Sequence, residues 1–139
     1  MNDEEMYVEA LELATHHHAG QKRKDGQDYI THPIAVARLL TTYKLKTIAL
    51  LHDVIEDTNC TNLTLIIKHF PQDVIDAVMA ISKIEGEDYV HYLGRVLRNP
   101  LARKVKIADI THNLSDLGKG NMRDKYMIAR EVLENERIR

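Results

Sequence analysis

The segment LLHDVIED, residues 50–57, carries four polar groups that could act together. At about 100° per residue on a helix, His52, Asp53, Glu56 and Asp57 fall within an arc of roughly 140°. Ile48, Leu51, Val54 and Ile55 take much of the other side, so these polar groups ride on a helix that otherwise favours burial. Carboxylates this close repel one another more strongly as water is excluded, and a bound cation is the simplest way to offset that. The competing reading is an amphipathic helix with a solvated acidic face. Two further stretches weigh against it. YITHP places His32 just before a helix, and KIADITHN places Asp109, His112 and Asn113 at i, i+3 and i+4 on one face of another.

The elements that must position these groups are helical. Tyr7, Leu11 and Ala14 open an amphipathic stripe that runs out at Gly20, and GQKRKDGQDYIT at 20–31 reads as a loop. Pro33 suits the first turn of a second helix, where its missing N–H is no loss. A third helix is predicted over about 46–57. Thr61 caps a short one to about His69, Pro71 starts another through Lys83, and a sixth stripe holds Tyr89, Leu93, Val96 and Leu97 until Asn99-Pro100. A long pattern from Leu101 ends at the breaker GKGN of 118–121. A last helix carries Met122, Tyr126, Ala129 and Leu133. No useful segment alternates with period two, so the fold class is all-α, a compact bundle of about eight helices.

At 139 residues the chain is expected to form one domain, 1–139, because domains take roughly 100–200 residues. With Cys60 the sole cysteine, neither an internal disulfide nor a cysteine-based zinc cage can form within one chain. The acidic start MNDEEMYVEALEL is unlike a signal peptide, and no apolar run approaches the ~18–20 residues of a membrane span; a cytoplasmic location is expected, with no membrane partner. A net charge of −2 argues against general nucleic-acid binding, whereas QKRK at 21–24 suits a small anionic ligand. Oligomeric state is not legible.

In the order His32, His52-Asp53, Asp109, the candidate groups match the scattered H…HD…D pattern of the HD superfamily. HHAGQKRKDGQDYITHP, IALLHDVIEDT, FPQDVIDAVMAISK and VKIADITHN together resemble the hydrolase domain of the Rel/SpoT-type alarmone enzymes over about residues 10–116. The chain resembles most the stand-alone small alarmone hydrolases, on the expectation that no synthetase domain follows. The resemblance implies a compact helical HD domain holding one Mn²⁺ on His32, His52, Asp53 and Asp109. It implies cleavage of the 3′ pyrophosphate of (p)ppGpp to leave GDP or GTP. Glu56 and Asp57 match the acidic pair serving the nucleophilic water, Arg23 and Lys24 the basic pair that packs on guanine, and Asn113 a nucleotide-contacting asparagine. Two imidazoles and two carboxylates also form the mixed N/O donor set that suits Mn²⁺, Fe²⁺ or Zn²⁺.

The chain reads ADITHNLSD where larger relatives commonly read ADRLHNMRT, so Ile110, Ser115 and Asp116 replace an arginine and an arginine-threonine pair. Those positive charges would clamp phosphate, and their loss bears on nucleotide choice. Alternatives on the same pocket are another nucleotide phosphohydrolase, for example one removing the 2′ phosphate of NADPH, and a non-catalytic nucleotide sensor. A pure binder, however, has no need of two extra carboxylates facing a phosphate. His16 and His17 point about 100° apart and cannot converge on one ion, whereas His18 is expected to pack beside the site. His112 reads either as a partner of the ligands or as a buried structural histidine. Lys83 sits where the family often has a substrate lysine, although a helix-ending lysine is also common for dipole reasons. Lys125 and Tyr126 could close over a nucleotide, but Tyr126 fits the apolar stripe, so core packing is expected of it. Cys60 has no neighbour in sequence that would activate a thiol.

Overall fold

The structure, a computed structural model, describes residues 2–57, 69–116 and 121–135, apart from the side chains of Asp57, Asp116 and Asn121. Seven helices form among the described residues: α1 (Asp3–His17), α2 (Thr31–Arg38), α3 (Tyr43–Asp57), α4 (Gln72–Ile81), α5 (Tyr89–Leu97), α6 (Pro100–Asp116) and α7 (Asn121–Asn135). No strand occurs among those residues, so the all-α expectation holds. The short helix predicted from Thr61 lies, except for His69, outside the described residues, as does Cys60.

Local chemistry sets the helix ends. The Asn2 side chain accepts from the Glu5 N–H at 2.8 Å and caps α1, whose acidic first turn and histidine last turn both suit the helix dipole. Thr42 accepts from the Leu45 N–H at 3.2 Å, which starts α3 three residues earlier than its stripe predicts. Asp88 caps α5 through the Val90 N–H at 3.0 Å.

The loop between α1 and α2 is a small hairpin with backbone hydrogen bonds Tyr29 N to Gln21 O at 2.9 Å and Arg23 N to Gln27 O at 2.8 Å. Gly26 sits at its tip with φ of +87°, in the left-handed region where a Cβ is costly. An ion pair between Lys22 and Asp28 ties the two arms. QKRK is therefore held as one arm of an ordered hairpin.

α3 and α6 form the centre, α3 packing on α1, α2, α4 and α6, and α6 on α2, α3, α4, α5 and α7. Ile48, Ala49, Leu50 and Val54 are fully buried on α3, as are Ala102, Val105 and Ile110 on α6. Burying one such leucine or isoleucine stabilises the fold by about 1.5–3 kcal/mol. Against this background the buried polar residues stand out: His18, His32, Thr47, His52, Asp53, Ser82 and Asp109.

Candidate active site

His52 and Asp53 are 2% and 5% exposed, which rules out a solvated acidic face for this part of α3. A buried, unpaired carboxylate is too costly to persist, so partners are required. They come from two other helices. His32, at the start of α2, puts its Nε2 2.8 Å from Asp109 Oδ1 of α6 and 3.8 Å from Asp53 Oδ2. His52 Nε2 lies 2.9 Å from Asp53 Oδ1. Two imidazole Nε2 atoms and two carboxylates thus converge from three helices.

The orientation of each ring is fixed from behind. His52 Nδ1 donates to the Ala49 carbonyl oxygen at 2.8 Å, so a neutral ring keeps its lone pair on Nε2, facing the carboxylates. His32 Nδ1 meets His112 Nδ1 at 2.7 Å, again leaving Nε2 for the cluster. Lys106, one turn before Asp109 on α6, donates to Asp109 Oδ2 at 3.0 Å, and its side chain is only 12% exposed.

These contacts set the protonation states. Burial alone would lower the pKa of His52, but the adjacent charge and hydrogen bond of Asp53 outweigh it and push the pKa up to about 10. Burial would likewise raise the carboxyl groups; His52 instead holds Asp53 below the usual carboxylate range, and Lys106, then His32, hold Asp109 below it.

Among the described residues, no three His, Cys, Asp or Glu side chains already stand in metal-holding geometry. The four groups are instead paired directly, imidazole to carboxylate. Their donor atoms are nevertheless 2.8–3.8 Å apart, and adjacent ligands of an octahedral ion with bonds of about 2.1 Å lie about 3 Å apart. Asp53 Oδ2 is buried and has no hydrogen-bond partner, an orphaned acceptor that a cation would satisfy. The donor set therefore fits one divalent ion.

A cavity of about 560 Å³ opens over this cluster. His32, His52, Asp53 and Asp109 form its floor with Glu56 and Lys106, while Arg23, Lys24, Tyr29, Asn113 and Tyr126 stand on its walls. Glu56 Oε2 accepts from the Lys83 backbone N–H at 3.2 Å, which holds that carboxylate to the loop after α4. Of the residues expected to bind metal, water or nucleotide, the cavity gathers His32, His52, Asp53, Asp109, Glu56, Arg23, Lys24 and Asn113 but not Lys83. Lys83 faces a separate cleft with Ile55, Asp76 and Arg98 and reaches the site through its backbone alone. The side chain of Asp57 lies outside the described residues.

Other expectations shift. Tyr126 packs on the core yet also lines the cavity, and Lys125 sits 4.0 Å over the Tyr89 ring. His18 packs beside the site as expected, its ring 4.8 Å from Tyr29, which in turn faces His32. Ile110 is fully buried in the core, rotated away from the cavity that Asp109 faces, and the Ser115 hydroxyl donates to the His112 carbonyl oxygen at 2.6 Å. Lys106 does not stand out in the sequence. Its one signal was a lysine three residues before Asp109 on a helix with an apolar body.

Residues 10–134 match the HD domain family, and the chain belongs to that family. Its similarity lies with HD domains of the Rel/SpoT type. It is 36% identical over 141 residues to the bifunctional (p)ppGpp synthase/hydrolase SpoT of Escherichia coli (strain K12), covering 91% of this chain and 20% of that protein. It is 36% identical over 149 residues to the guanosine-3′,5′-bis(diphosphate) 3′-pyrophosphohydrolase of Vibrio cholerae, covering 94% and 21%. The chain thus spans about a fifth of the length of these relatives. The fold is shared with the solved structure of a metazoan ortholog of SpoT, at a TM-score of 0.72 and 24% identity over 92% of this chain and 83% of that one.

Proposed function

We propose that this chain is a divalent-metal-dependent phosphohydrolase that removes the 3′ pyrophosphate of (p)ppGpp, with residues 1–139 acting as one domain and Mn²⁺ as the ion. The observation that carries this reading is the convergence of His32, His52, Asp53 and Asp109 beneath a cavity with a basic wall. The names of the Escherichia coli and Vibrio cholerae relatives supply the alarmone as substrate class. No helix among the described residues is long and apolar enough to cross a membrane, and a cytoplasmic location is part of the same proposal.

When bound, the ion supplies Lewis-acid polarisation of phosphate oxygens and water. Glu56, anchored by the Lys83 N–H, orients the attacking water and takes its proton together with Asp57. Water oxygen bonds to the phosphorus next to the ribose, the bond from that phosphorus to the 3′ oxygen breaks, and the 3′ oxygen leaves as a hydroxyl on taking the proton that the carboxylate pair received from the water. Arg23 stacks on the base, Lys24 adds positive charge at the mouth, and Asn113 hydrogen-bonds the nucleotide.

A nucleotide panel with Mn²⁺, scored for the released group, tests this. Pyrophosphate from ppGpp is expected. Orthophosphate from NADPH with ppGpp untouched would move the chain to a different phosphohydrolase, and tight binding with no turnover would make it a sensor.

A further inference from the structure

The described carboxylates that line the cavity are Asp53 and Asp109 of the quartet and Glu56 beside them, which form its floor, and Asp25 on the hairpin. With both histidines neutral, as ligands must be, a divalent ion leaves that floor with one surplus negative charge, a poor place for a phosphate. Lys22 is paired with Asp28, and Arg23 and Lys24 stand on the hairpin above. Ile110, the residue after Asp109, is buried in the core and adds no charge there. One described side chain on the floor carries the opposite charge. Lys106 lies against the ligand quartet, donates to the outer oxygen of Asp109 at 3.0 Å, and has its ammonium 5.3 Å from the Tyr92 ring centroid.

We propose that Lys106 is the cation that lets this pocket accept a phosphate: held on Asp109 Oδ2 beside the quartet, it cancels the surplus charge of the floor. The proposal rests on the quartet being the metal site. An ammonium has three N–H donors, and Asp109 engages one of them. Tyr92, whose hydroxyl donates to the Ile81 carbonyl oxygen, gives the lysine a rigid face to lie against. Lys106 acts on the anion directly, and its charge opposes that of the metal ion beside it.

Charge and packing predict opposite signs, which makes the test sharp. Lys106 repels the ion and competes for Asp109, so Lys106→Met should bind Mn²⁺ about tenfold more tightly. The Mn²⁺-loaded variant should bind inorganic phosphate at least about tenfold more weakly. Lys106→Gln keeps a donor for Asp109 without the charge and should behave like the methionine variant; it carries the test if Lys106→Met does not fold. Lys106→Arg should recover most of the phosphate affinity. Calorimetry with Mn²⁺ alone, then with inorganic phosphate on the Mn²⁺-loaded protein, reads both quantities without turnover. Weakened Mn²⁺ binding in the neutral variants would reduce Lys106 to a structural role, and unchanged phosphate affinity would remove it as the anion's cation. Failure of the unsubstituted protein to bind Mn²⁺ would instead overturn the metal site itself, and this proposal with it.

Discussion

The imidazole of His112 rests against that of His32, Nδ1 to Nδ1 at 2.7 Å, with ring centroids 4.8 Å apart. Two nitrogens at that separation share one proton, so one ring donates and the other accepts. For His32 to offer its Nε2 lone pair to an ion, its own Nδ1 must carry the proton and donate to His112. His112 thus selects the tautomer of His32 and does so from the same helix that carries Asp109. Replacing it with alanine should lower Mn²⁺ affinity by about 10–100-fold, the usual cost of losing a partner behind a ligand. Asparagine can place its carbonyl oxygen where Nδ1 was, so His112→Asn should recover much of that loss. Equal Mn²⁺ affinity in the alanine variant and the parent would leave His112 a packing residue.

The raised pKa of His52 makes metal uptake pH-dependent. In the metal-free protein the protonated ring stabilises the fold fully below its ordinary value of 6.5, and that contribution is lost as pH rises through about 10. An ion needs the ring neutral, so binding between those limits releases a proton from His52, and affinity should rise with pH by up to about tenfold per unit. Titrations in buffers of different ionisation heat will count the protons. A count of zero at pH 8 would contradict ligation by His52.

Asp53→Ala removes a carboxylate whose two oxygens both face the quartet. It should abolish most Mn²⁺ binding and all activity. The parent should melt at higher temperature as Mn²⁺ is added, because an ion held by three helices stabilises the folded state by mass action, whereas the variant should not respond. A melting temperature that follows Mn²⁺ equally in both proteins would place the ion elsewhere.

Glu56→Gln combined with Asp57→Asn preserves size while removing the bases. Metal and nucleotide should still bind, and single-turnover cleavage should slow by at least ~10²-fold. Near-normal cleavage would take the pair out of the mechanism. Loss of metal would make one of them a ligand.

Arg23→Ala and Lys24→Ala act on the wall of the cavity, away from the quartet. KM should rise several-fold while kcat changes little, as expected for residues that hold the base and not the reacting phosphate. Steady-state kinetics on the best nucleotide of the panel would show it; unchanged constants in both variants would end the base-binding role.

The seven described helices are legible in the sequence to within a few residues, since apolar spacing, Pro33, Pro71 and the GKGN breaker act over short range. The sequence by itself also determined that His52, Asp53 and Glu56 share one side of α3, because spacing along a helix fixes direction around its axis. Tertiary structure decided what meets across helices. His32 and Asp109 are 77 residues apart, and only the packing of α2 and α6 against α3 puts their side chains in contact. The same packing turned Ile110 into the core and Lys106 toward the cavity, left Lys83 facing another cleft, and set Tyr126 on the cavity wall. Periodicity says which residues share a face of one helix. Which way that face points is settled only when the apolar faces of neighbouring helices find one another and fix the rotation of each helix in the bundle.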